Sequence, residues 1–221
     1  SLAVGSPLPI LLARSLNAVR RKGVKKTVQM PTFAPYFISV VVMVGIIMEF
    51  LSPRTGIVND MRAALGMERL NFIAEPGHFW HLYVWSDIWQ NIGFGCIIYL
   101  AALSSVDPSL HEAATVDGAT RLQRIRHIDI PGILPIAVIL FILNMGNALE
   151  IGFEKVFLMQ NTLNISASEV IDTYVYKVGI SSSVVNFSYA AAVGLFKSVV
   201  GFTLLVTVNR AARKVGQASL W

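Results

Sequence analysis

The residues able to do chemistry are few. His111-Glu112-x-x-Thr115 falls one residue short of HExxH, where two histidines one helical turn apart hold zinc and the glutamate activates its water. Thr115 stands where the second histidine is needed, and His78, His81 and His127 lie in other segments. No metal site is expected. Lys26-Thr27 and Lys197-Ser198 lack the preceding glycine loop whose N–H groups would cradle phosphates, so the chain is not expected to bind ATP itself. Cys96 is the single cysteine, which rules out a disulfide framework or a CxxC metal site within the chain. Set in an apolar run, it reads as packing. No spacing of acids, bases and nucleophiles supports an enzyme, and no cofactor is expected.

Recognition is better served. Asp107 followed by Pro108 is a helix start, a capping carboxylate and then a proline at the first helical position. Ser109 and Glu112 offer a second, capping-box register. The helix is expected to break at Asp117-Gly118. A second helical stretch over residues 119–127 carries Arg121, Arg124 and Arg126, and Ile130-Pro131-Gly132 is expected to turn the chain back. Two short helices with small residues on one face make a knob shaped for a partner's groove.

The elements that must hold this knob are membrane helices. Only 14% of the 221 residues are charged and 54% are hydrophobic, against roughly 25% and 45–50% in a soluble domain, so lipid is the expected solvent. Apolar runs over residues 31–52, 80–106, 133–151 and 187–208 each reach the ~20 residues a helix needs to span the hydrocarbon. Pro31 and Pro35 fall in the first turns of the first run, where proline is tolerated. Residues 1–12 read as the tail of a further span, with the true N-terminus missing. Trp80, Tyr83, Trp85 and Trp89 crowd one end of their run like an interfacial belt. A short amphipathic helix is expected near residues 58–65.

Alternation puts residues 14–26, 103–131 and 209–221 on one side. They carry twelve Lys and Arg, including Arg14, Arg20, Arg21 and Lys22, against five in the two opposite loops. The positive-inside rule makes the richer side cytoplasmic, C-terminus included. A basic loop between apolar runs argues against nucleic acid. Glu49, Asp87 and Glu150 fall near the opposite ends of spans, where hydration is easy; Lys197 lies deeper and should have a carboxylate partner or an interior site. Ala190, Gly194 and Ser198 form a small-xxx-small series that reads as helix packing.

Glu112-Ala113-Ala114, three residues, Gly118, nine residues and then Ile128-Asp129-Ile130-Pro131 resembles the EAA loop of binding-protein-dependent ABC importer permeases, with Ile130 where leucine is usual. Phe50-Leu51-Ser52-Pro53, Ser86-Asp87-Ile88-Trp89, Gly152-Phe153-Glu154, Asp172-Thr173-Tyr174-Val175-Tyr176 and the ending Ser219-Leu220-Trp221 are similar to the LplB-like complex-sugar permeases of that group. The resemblance implies an all-α integral membrane protein, a single type I importer transmembrane domain over residues 1–221 with its coupling loop at 107–131. Relatives have six spans, so about four full spans and part of another are expected here. It further implies a bacterial inner-membrane location, a cytoplasmic ABC ATPase dimer, a second related permease and an extracytoplasmic solute-binding protein as partners. Glu112 would be the ion-pairing group toward the ATPase, Ala113 and Ala114 the contact face, and Asp117 and Gly118 the turn; Ile128 and Pro131 close the motif.

For a sugar path, Asn144, Asn147 and Glu150 recur at a spacing of three and are expected on one helical face. Such a stripe can bond sugar hydroxyls or, as asparagine more often does in membranes, a neighbouring helix. Trp89 and Phe153 offer rings to stack on sugars or to anchor at the interface. The rival readings are an assembly subunit without transport of its own and a permease for a non-sugar substrate.

Overall fold

A computed structural model describes residues 2–19, 21–182, 185–214, 216 and 219–220, apart from the side chains of Leu2, Ala3 and Lys22. Arg20 and the Lys22 side chain of the basic segment, and Trp221 of the C-terminal ending, thus lie outside the described residues. The described chain is helical throughout, without strands. Its main helices are α1 (Pro7–Asn17), α2 (Lys22–Phe33), α3 (Val40–Phe50), α4 (Ile57–Ala64), α5 (Pro76–Ser104), α6 (Pro108–Val116), α7 (Arg121–Gly146), α8 (Phe153–Met159), α9 (Ile165–Ser168), α10 (Ile171–Tyr176) and α11 (Phe187–Lys214).

Among the described residues, α7 and α11 are each long and apolar enough to cross a bilayer alone. Gly23–Phe37 with Val40–Phe50, and α5 with α6, reach that standard only as bent pairs, bent by 104° and 66°. At 29 residues α5 is ~44 Å long and needs no help in reach. His78, His81, Asp87, Gln90 and Asn91 are what dilute its hydropathy.

Two expectations about the first half of the chain change. Residues 14–26 are not a loop: α1 and α2 run into the segment from both sides and leave only a short connection. Residues 31–52 are not one straight span beginning at the prolines. α2 already contains Pro31, a 3-10 turn over Ala34–Phe37 follows, and α3 starts afresh with Ser39 as its cap, the Ser39 hydroxyl accepting from Val42 N–H at 3.3 Å. Pro31 and Pro35 each remove one N–H from the ladder within five residues, so the helix cannot continue straight.

The chain divides into two compact units. The first comprises residues 1–36, 89–148 and 200–221. Its core is Ala13 and Leu16 of α1, Cys96, Tyr99, Ala102 and Leu103 of α5, and Ile133 of α7. α7 and α11 approach through small residues: a Cβ on Gly201 would sit 2.9 Å from the Gly146 carbonyl oxygen. Backbones this close give dispersion contacts that lipid cannot offer. In the Ala190, Gly194 and Ser198 series, by contrast, a side chain at Gly194 would meet open space, while Ala190 lies against Gly179, where a Cβ would come within 2.9 Å of the Ala190 Cβ.

The second unit comprises residues 37–88 and 149–199. Val44, Phe79, Tyr83, Val156 and Met159 form its core, from α3, α5 and α8. Two buried asparagines tie down its loops. Asn59 on α4 donates to the carbonyls of Leu51, Ser52 and Leu70 and accepts from Leu70 N–H at 2.8 Å. Asn164 donates to Ile73 O at 2.8 Å and to Met159 O at 3.0 Å. Lys197 finds the carboxylate expected of it, with Nζ 2.6 and 2.8 Å from the two oxygens of Asp172.

Candidate functional site

The loop over residues 107–131 lies in the first unit. The Asp107 carboxylate accepts from Ser109 N–H at 2.9 Å, and Pro108 occupies the first turn, so α6 begins where the sequence predicts. The backbone and hydroxyl hydrogen bonds from Ser109 hold the Asp107 carboxyl below the usual carboxylate range, because they favour its charged form. At the other end Ala119 N–H reaches Ala114 O at 2.8 Å. Gly118 takes φ +73°, the left-handed cap conformation that side chains with a Cβ resist.

The return differs from expectation. Thr120 and Gln123 form a capping box absent from the sequence reading, with Thr120 N–H donating to Gln123 Oε1 at 2.7 Å. The second helix then does not stop near His127. It widens into a π turn over Ile125–Asp129 and continues as a single helix to Gly146. Ile130 N–H bonds Ile125 O, five residues back. Pro131 has no N–H to give, and the wide turn absorbs that gap, so Ile130-Pro131-Gly132 redirects nothing.

Two side-chain contacts lock α6 onto α7, His111 Nε2 to Asp129 Oδ1 at 3.3 Å and Arg124 Nη1 to Thr115 Oγ1 at 3.0 Å, while Arg121 Nη2 at the start of α7 reaches Ala18 O beyond α1 at 3.5 Å. His111 and Thr115 are four apart and both reach α7, although Thr115 stays exposed; that spacing was the one available sequence signal for these contacts. Glu112 and Ala113 are consequently turned outward and exposed, Ala114 is half-buried, and Asp117 and Gly118 are exposed at the end of α6. Ile128 is half-buried within the π turn and Pro131 is exposed just after it. Glu112 makes no hydrogen bond or ion pair to the described residues. Around it α6 leaves Leu110 at 52% and Val116 at 89% exposure, a braced helix offering one carboxylate and apolar side chains outward.

The other predicted residues scatter. Asn144 is exposed on α7, but that helix ends at Gly146 with Asn147 as its cap, so Glu150 lies beyond the helix and the three do not share a helical face. Trp89 is half exposed on α5. Phe153 stacks on Phe157 with centroids 5.4 Å apart and packs against Tyr176 at 5.4 Å. Asn144, Asn147 and Trp89 belong to the first unit, Glu150 and Phe153 to the second.

Sequence reasoning overlooked Lys155. It is 4% exposed on α8, donates to Tyr83 O at 3.2 Å, lies over the Tyr83 ring at 4.8 Å and stands 3.9 Å from Asp87. Burial pushes its ammonium down to about 8, outweighing the Asp87 carboxylate that pulls it up.

Comparison with known proteins bears on the fold and the family. The polygalacturonan/rhamnogalacturonan transport system permease protein YteP of Bacillus subtilis (strain 168) is 42% identical over 221 residues, which is 100% of this chain and 68% of YteP. Protein LplB of the same organism is 40% identical over 174 residues, covering 79% of this chain and 55% of LplB. A chain of the crystal structure of a bacterial alginate ABC transporter in complex with an alginate pentasaccharide-bound periplasmic protein matches with a TM-score of 0.94 and 39% identity, over 100% of this chain and 76% of that one. The family described as binding-protein-dependent transport system inner membrane component matches residues 5–217, and this chain belongs to it.

Proposed function

We propose that this chain is the permease subunit of an ATP-driven importer for oligo- or polysaccharides. The names of its relatives, with polygalacturonan and the acidic polysaccharide alginate, put uronate-bearing chains first among candidate substrates. A separate cytoplasmic ATPase dimer supplies the energy, a second related permease completes the path, and an extracytoplasmic binding protein delivers the sugar. The basic side, with residues 107–131 and the C-terminus, faces the cytoplasm.

The observation that carries this reading is the outward Glu112, without a partner among the described residues, on a helix capped at both ends and braced through His111 and Thr115. A rigid helix transmits displacement, and an exposed carboxylate flanked by small and apolar residues fits a basic cleft. ATP binding closes the ATPase pair and draws two such loops together. The path then turns outward because the closed ATPase binds that state better; this differential affinity is what moves the equilibrium. Asn144, Asn147, Glu150, Trp89 and Phe153 are the proposed path residues, taken singly rather than as a helical stripe.

The test is co-purification from detergent-solubilised membranes of the full-length chain with its partner permease and ATPase. Glu112→Arg combined with Gly118→Leu is expected to abolish ATPase recovery while membrane insertion survives. Equal recovery with the variant would sink the coupling role.

A further inference from the structure

Behind the outward face of α6 lies a second feature. A cavity of about 740 Å³ opens between the end of α1, α6 and the start of α7, and its polar lining includes Arg14, Asn17, His111, Arg121, Arg124 and Asp129. Three guanidiniums face one carboxylate, and that carboxylate is already engaged with His111. The three guanidiniums outnumber that one carboxylate by two.

The donors are also under-used. Arg14, half-buried, makes no hydrogen bond or ion pair to the described residues. The Arg121 bond to Ala18 O is at the long limit, 3.5 Å. Arg124 spends Nη1 on Thr115, while its Nε is buried without a partner. A buried, unsatisfied guanidinium nitrogen beside two further guanidiniums is costly unless something accepts from it. Water can satisfy the donors but not the charge.

We infer that this cavity is a binding site for a phosphate-bearing anion. Guanidinium forks match the paired oxygens of phosphate, and three of them on two separate helices suit a tetrahedral oxyanion better than a planar carboxylate. Leu11 and Ile125 add an apolar wall, leaving room for the group the phosphate is attached to. The same chemistry comes from two sources: the headgroup of an anionic phospholipid, and a soluble phosphate.

The experiment uses the full-length chain in its assembled, delipidated complex. Native mass spectrometry with added phosphatidylglycerol and calorimetry with inorganic phosphate are run in parallel. Both compare wild type, Arg121→Gln/Arg124→Gln, Arg14→Gln and, as a control outside the cavity, the exposed Arg126→Gln. The double variant is expected to bind roughly tenfold more weakly or not at all, Arg14→Gln several-fold more weakly, and the control like wild type. Retention of phosphatidylglycerol alone identifies a headgroup site, and binding of phosphate as well identifies a site for the free anion. In wild type, phenylglyoxal modification of Arg14 and Arg121 is expected to slow in the presence of the bound anion relative to Arg126, which keeps the test independent of how the variants fold. The inference is overturned if neither probe binds wild type, if all variants bind alike, or if only ATPase recovery falls, since an acidic ATPase residue would then be the occupant. Binding is counted per copy of the chain, so a failed transport assignment leaves the result readable.

Discussion

Lys155 shows how a single residue can store an electrostatic cost that sequence reading overlooks. Its ammonium titrates near 8 when folded and near 10.5 when unfolded, so between those values the unfolded chain binds more protons. Stability should therefore rise as pH climbs from 8 to 10.5, by roughly 3 kcal/mol, and the cost is fully present below 8. Lys155→Met is expected to abolish that rise and, below pH 8, to be more stable than wild type by up to that amount less what the lost Tyr83 contacts contribute. Thermal unfolding of wild type and variant across this range, compared as a difference, is the measurement; identical slopes would refute the assignment. Lys197 and Asp172 behave oppositely. Lys197→Ala should cost roughly 1.5–3 kcal/mol by leaving the carboxylate without its charged donor, with part of the loss recovered in Lys197→Ala/Asp172→Ala. A double-mutant cycle on the same melts decides it.

At the scale of elements, local chemistry was legible wherever an end signal sat beside an apolar pattern. Asp107-Pro108 started α6, Asp117-Gly118 ended it, and the short helix near residues 58–65 appears as α4. Gly118→Ala is expected to cost about 1 kcal/mol through the left-handed conformation and to loosen ATPase docking without abolishing it, measurable by graded detergent washes of the complex. The prolines misled. Pro131 signals a turn locally, yet the π turn at Ile125–Asp129 carries the helix through it; Pro31 is carried inside α2, and the break comes later, at Ser39. Whether a missing N–H breaks a helix depends on what packs beside it, which no window of sequence contains. Asn59 makes the same point. It falls in the short helix expected near residues 58–65, and it is fully buried and holds three carbonyls and one N–H. Asn59→Ala should cost roughly 1–3 kcal/mol for each backbone group left unpaired, seen as a lowered melting temperature.

At the scale of the whole molecule, orientation is the open quantity, and Cys96 makes it accessible. The native thiol is fully buried, so it gives no background to a membrane-impermeant maleimide. Val116→Cys, at a position 89% exposed, should label only in inside-out vesicles, and Leu65→Cys, at one 76% exposed, only in right-side-out cells. Reversal of that pattern would overturn the positive-inside assignment. The sequence by itself determined the solvent, the number of long apolar runs, the place and caps of α6, and the family motif, because each rests on composition or on contacts within a few residues. Only the tertiary structure decided that His111 and Thr115 face α7 and leave Glu112 outward, that Glu150 leaves the face of Asn144, that Lys155 is buried, and that Arg14 joins Arg121 and Arg124 around one cavity. Those outcomes join residues as far apart in the chain as Arg14 and Arg124, and pairings at that range are set by packing, which hydrophobic period and end signals do not encode.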